Sequence, residues 1–123
     1  MAEDDPSVAY EVLLTKPAEI EIEQEHSRLA DAVSAEYAQR WQDGLLADLE
    51  RLHLFPTRHA VAPENDLYDV VVRRMLYYGP SRRRGNLAYR ILFHVMEPTA
   101  GEEMGIVRIL HVWHGARKPG AEE

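Results

Sequence analysis

A chain of 123 residues, 46% of them hydrophobic, has the apolar mass for one packed domain, expected over residues 1–123 with its core at about 7–118. It has no cysteine, which excludes disulfides, thiolate metal sites and thiol nucleophiles. The start, Met1 to Ser7, is acidic without an apolar run, so neither a secretory signal nor a membrane span is expected, and the cytoplasm is the expected compartment.

The net charge of −7 argues against a general polyanion binder, because neutralising phosphates with Lys and Arg dominates nucleic-acid affinity. The charge is unevenly spread, however. Residues 1–67 carry five basic and fifteen acidic residues, whereas residues 68–118 carry nine basic and four acidic ones. The C-terminal half is therefore suited to an anionic partner, unless its charge simply offsets acidic helices within one fold.

In chain order, Ser7 to Thr15 alternates β-branched and aromatic residues, which predicts a first strand. Thr15 suits an N-cap, Pro17 a first helical turn, and Glu19, Glu21 and Glu23 the positive end of a helix dipole, which predicts a helix over 17–33. The run Glu19-Ile20-Glu21-Ile22-Glu23 alternates like a strand and opposes that reading. Ser34 caps a second helix with Ala38, Trp41, Leu45, Leu49 and Leu52 at spacings of three and four, ending before Pro56. Residues 57–66 read as a connecting loop. Strands follow at 68–78, 87–96 and 106–113, separated by turn regions around Gly79-Pro80-Ser81 with Gly85-Asn86 and around 98–105. The order predicts an α+β fold: an N-terminal strand, then two helices on one face of a small, mostly antiparallel sheet, which a C-terminal three-strand meander completes.

These elements carry short sequences that resemble the RelE/ParE toxins of type II toxin-antitoxin pairs, from about Tyr10 to Arg117. They are Tyr10-Glu-Val-Leu-Leu-Thr15, Ser34-Ala-Glu-Tyr-Ala-Gln-Arg-Trp41, Leu52 with Phe55-Pro56, and Val72-Arg-Arg-Met-Leu76 followed by Gly79. Tyr89-Arg-Ile-Leu-Phe93, Val107-Arg-Ile-Leu110 and His114-Gly-Ala-Arg117 complete the set. The resemblance implies a growth-inhibiting toxin held inactive by a cognate antitoxin, with no cofactor and no membrane partner. It implies one of two targets: the ribosome, with cleavage of messenger RNA as the leading expectation, or DNA gyrase, inhibited without chemistry. A toxin-like domain without toxicity is the third possibility, and the choice belongs to the site rather than the fold.

By that resemblance Arg90 and Arg117 match arginines that RNA-cleaving members use on phosphate, and a guanidinium fork whose charge does not titrate away suits phosphoryl oxygens. The alternative for Arg90 is that it points away from Tyr89, Ile91, Phe93 and Val95 and pairs with an acid. His114 suits proton transfer near neutral pH or, equally, a cap at the sheet edge. His111 and His114, three apart on an extended strand, face opposite sides and make no metal site. Arg82, Arg83 and Arg84 form a basic loop suited to phosphate, and Arg73, Arg74 and Arg108 are expected to extend one basic face. The lysine pair of the RNA-cleaving members is absent at Arg74 and Met75, as is their C-terminal tyrosine, so Glu64 and Asp66 are the remaining candidates for a general base.

Overall fold

The computed structural model of the chain describes residues 8–80 and 88–115. Its elements are β1 (Ala9–Leu14), α1 (Lys16–Ala32), α2 (Ala35–Glu50), β2 (Arg73–Tyr77), β3 (Tyr89–Met96) and β4 (Met104–His114). The strands form one sheet in the order β1-β4-β3-β2. β1 runs parallel to β4, with Leu14 beside Ile109, while β3 is antiparallel to both β4 and β2. The expected α+β arrangement is thus the one observed. Among the described residues no helix is long and apolar enough to cross a membrane.

Local chemistry explains each helix start. Thr15 Oγ1 accepts the Ala18 N–H and donates to the Ile109 carbonyl at 2.7 Å, so one hydroxyl both caps α1 and ties it to β4. Ser34 Oγ accepts the Tyr37 N–H at 3.0 Å and caps α2. The alternation in α1 resolves as a helix that buries Ala18, Ile22 and Leu29 and leaves Ile20 exposed, because a spacing of two residues turns a helix by about 200°. The α2 stripe lies where its spacing predicts: Ala38, Trp41, Leu45, Leu49 and Leu52 are all buried. They pack on Tyr10, Ile91, Phe93, Val107 and Ile109 and make the main core on the helix face of the sheet.

Two boundaries differ from the sequence expectation. α2 stops at Glu50 and continues as a 3₁₀ turn, Arg51–His53, before Phe55, whose φ of 56° is left-handed. Pro56 disfavours right-handed helical geometry at the residue before it, and Arg58 lies over the Phe55 ring, 4.3 Å from its centroid. β2 begins at Arg73 rather than Tyr68, because the chain before it is held by a side chain instead of a ladder: Asn65 Oδ1 accepts the Val72 N–H at 2.7 Å. Residues 54–72 form a strap around the β2 edge. Ala62 N–H donates to the Val72 carbonyl and Arg74 N–H to the Ala60 carbonyl, so part of the strap lies alongside β2. Beyond it, Ala62 and Tyr68 pack with Val72, Leu92 and Trp113 in a second, smaller core on the face away from the helices.

Close approach also explains Gly105. A Cβ there would stand 2.6 Å from the Tyr10 ring and from the Met96 carbonyl, so β1 can pack against β4 only over a glycine.

Candidate functional site

Strand alternation decides which charged groups can meet. On β3, Tyr89, Ile91 and Phe93 point into the helix-face core, so Arg90 and Leu92 point to the other side. On β4 a bulge intervenes: Leu92 stands opposite His111 and Phe93 opposite Ile109, leaving Leu110 as the extra residue. Past the bulge, Val112 belongs to the helix-face core and Trp113 to the second one. Trp113 is the register partner of Arg90, and His114 that of Tyr89. Arg90 and His114, the two described members of the expected catalytic set, therefore lie on opposite faces of the sheet.

On the strap face, the Arg90 guanidinium is ion-paired with Glu64 and sits over the Trp113 ring, 5.8 Å from its centroid. The Arg90 and Glu64 side chains are 17% and 3% exposed. This corrects the expectation for Glu64: it is an enclosed counter-ion carried by the strap, which leaves it no open approach as a general base. Arg90 follows the alternative reading, paired with an acid on the far face. The row of arginines also divides. Arg74 shares the strap face with Leu92, its register partner, and Arg108 is exposed opposite His94. Arg73 occupies the other pleat and donates to the His59 carbonyl at 2.7 Å, so Arg73 and Arg74 do not line one face together. Arg82, Arg83, Arg84 and Arg117 lie outside the described residues.

On the helix face a half-open cavity of about 260 Å³ is lined by Glu21, Gln24, Glu25, Arg28, Tyr89, Val112 and His114. It exists because β1 pairs with β4 only as far as Ile109, which leaves the β4 edge beyond the bulge to α1. Glu21 takes the place of the missing strand. Its carboxylate accepts the Val112 N–H at 2.9 Å and the Trp113 indole N–H at 3.0 Å, and lies 2.9 Å from His111 Nδ1. One turn on, Glu25 accepts two hydrogen bonds from Arg28, at 2.5 and 3.0 Å, and one from the Tyr89 hydroxyl. The His114 ring meets Tyr89 edge-on, with centroids 5.1 Å apart.

The electrostatics follow from this geometry. Burial pushes the Glu25 carboxyl up, but the hydrogen bonds from Arg28 and Tyr89 and the nearby Arg28 and His114 charges outweigh it and hold the group below the usual carboxylate range. Burial and the bond to Glu25 push the Tyr89 hydroxyl well above its ordinary value, so it remains a donor across the physiological range. The Glu25 bond likewise raises Arg28. The cavity thus gathers a carboxylate, a guanidinium, a phenol and an imidazole. Sequence spacing singles out only His114. The Glu25–Arg28 pair at i,i+3 is a readable helical signal, whereas Tyr89 joins through the fold alone. Among the described residues no group of three His, Asp or Glu side chains is placed to hold a metal ion.

A sequence model of the ParE toxin of the type II toxin-antitoxin system parDE matches residues 12–119. No curated protein sequence matches the chain. Among solved structures, a chain of the chromosomal ParDE toxin-antitoxin system from P. aeruginosa superposes with a TM-score of 0.57 at 12% identity, covering 86% of this chain and 96% of that one. At that identity the likeness is one of fold, and it agrees with the strand order and helix placement described above. The family match spans most of the chain, from within β1 to beyond β4, and by it the chain belongs to the ParE toxins of type II toxin-antitoxin systems.

Proposed function

We propose that the protein is the toxin of a type II pair, neutralised by a cognate antitoxin, and that it inhibits growth by binding a macromolecular target of the DNA gyrase kind rather than by cleaving messenger RNA. The observation that carries this reading is the separation of Arg90 from His114 by the thickness of the sheet, with Arg90 already neutralised by Glu64. Stabilising a phosphoryl transition state requires preorganised charge and a proton carrier converging on one reacting atom. A buried guanidinium engaged by its own carboxylate on one face, and an imidazole on the other, do not converge. A binding toxin needs no such convergence, and the missing lysine pair agrees with it. The ParDE system named in the structural comparison supports an antitoxin as the natural partner. The ribosome-directed reading retains one favourable observation, the cavity that brings His114 together with Tyr89, Glu25 and Arg28.

The test runs purified toxin in two assays side by side: DNA supercoiling by gyrase, and integrity of messages in a translating extract. Inhibited supercoiling that the antitoxin encoded beside the toxin relieves, with messages intact throughout, is the expected result. Message cleavage with normal supercoiling overturns the reading.

A further inference from the structure

The helical layer carries a second concave surface that neither candidate site uses. Between α1, α2 and the end of β1 lies a groove of about 290 Å³ lined by Leu14, Ile22 and Leu46 with Glu19, Glu23 and Gln42. Ile22 is buried at its floor, and Leu46, 41% exposed, forms an open apolar wall on the α2 side. Its rim is anionic. Glu19 meets only Lys16, at 3.9 Å and with both side chains well exposed, and Glu23 has no ion pair among the described residues. A screened contact of that length leaves the Glu19 charge largely available. Glu19 and Glu23 are four residues apart and share one flank of α1. Glu21 and Glu25, also four apart, share the other and are occupied by β4, Arg28 and Tyr89. The alternating glutamates of α1 therefore divide into a tightly bonded pair and, among the described residues, a pair whose one ion contact is the exposed Lys16–Glu19 approach, and this second pair borders the apolar groove. The surrounding field has the same sign, because residues 16–50 hold nine acidic and three basic residues.

We infer that this groove receives an amphipathic, basic helix of a partner protein. Leucine-like anchors at i and i+4 would fill the space over Leu14, Ile22 and Leu46, and Arg or Lys beside them would meet Glu19 and Glu23. A third helix laid along α1 and α2 buries an apolar stripe without needing backbone partners, which an extended segment would require. The acidic rim repels nucleic acid and acidic peptides, so the surface complements the arginine-bearing strap face instead of duplicating it. The inference holds whichever macromolecule the toxin inhibits.

A fluorescently labelled synthetic peptide of about 18 residues, with leucines at helical spacing flanked by arginines, is the probe. Anisotropy titration of the full chain is expected to show saturable binding that weakens with salt. Leu46→Asp is expected to weaken it by about tenfold or more, the scale of losing one buried apolar anchor. Glu19→Gln with Glu23→Gln, which leaves the apolar floor intact, is expected to weaken it and to flatten the salt dependence. A peptide of identical composition with its leucines moved off helical spacing is expected to bind about tenfold more weakly. Absence of saturable binding overturns the inference. So does equal binding by the rearranged peptide, or unchanged affinity in the glutamine variant at unchanged melting temperature.

Discussion

On the strap face, Arg90 is enclosed against Glu64 and lies over Trp113; on the helix face, His114 borders a cavity whose carboxylate and phenol are largely buried but whose guanidinium is open to solvent. Both regions hold an arginine paired with a glutamate, yet the pairs differ in kind. Arg28 and Glu25 are neighbours on one helix, and the Arg28 side chain is 56% exposed, so their mutual attraction is screened. Arg90 and Glu64 come from a strand and a strap 26 residues apart in sequence and are largely enclosed, so their attraction is screened much less by solvent. The comparison teaches that a charged residue matching a catalytic position by sequence can be spent on holding the fold, and that what distinguishes the two cases is the partner on the far side of a loop.

The sharpest way to break the comparison is to remove one member of the enclosed pair. Glu64→Leu, which removes the carboxylate from a largely enclosed guanidinium, is expected to cost about 3–5 kcal/mol in urea denaturation, and Glu64→Leu with Arg90→Leu to recover most of that loss. A cost below about 1 kcal/mol for the single variant would make the strap-face pair no more structural than the helix-face one.

A smaller effect is expected at Glu21, which replaces a strand at the β4 edge. Glu21→Ala leaves the Val112 N–H and the Trp113 indole N–H without their acceptor, an expected loss of about 2 kcal/mol, with amide exchange at Val112 accelerating more than at Ile109. Equal acceleration at both would mean that the carboxylate does not hold the edge.

The smallest effects are pH-dependent and separate the two regions by window. Burial, with Arg73 nearby, holds His59 below its ordinary 6.5, so the unfolded chain takes up its proton first and stability falls as pH drops from about 6.5. Glu25 is held below its ordinary 4.5, so its contribution is present above that value and is lost as pH falls through the lowered folded value. Denaturation midpoints across pH 7.5 to 3 are expected to lose the upper part of the slope in His59→Gln and the lower part in Glu25→Gln. A slope unchanged in either variant contradicts the corresponding assignment.

Much of the architecture was legible because local chemistry and global fold agree. Thr15 and Ser34 cap the helices their spacing predicts, and the stripe from Ala38 to Leu52 is buried throughout. The candidate site was legible only in part. Period two on β3 does turn Arg90 away from Tyr89, Ile91 and Phe93, but the identity of its partner depends on how an irregular strap returns to the sheet, and no periodicity encodes that. The bulge at Leu110 is equally silent in sequence, although it sets which face each residue from His111 to His114 occupies. The arginine row divides for a simpler reason: adjacent residues on a strand cannot share a face, so Arg73 and Arg74 part.

The central claim is that Arg90 serves the fold and that toxicity needs no chemistry from it. Growth arrest by the paired variant Glu64→Leu with Arg90→Leu, expressed without antitoxin and shown to be folded, measures this directly. Arrest as strong as that of the unsubstituted toxin is the predicted result. A soluble, folded variant that no longer arrests growth, with message cleavage falling by roughly a hundredfold or more, would contradict the account and return Arg90 to the reacting phosphate.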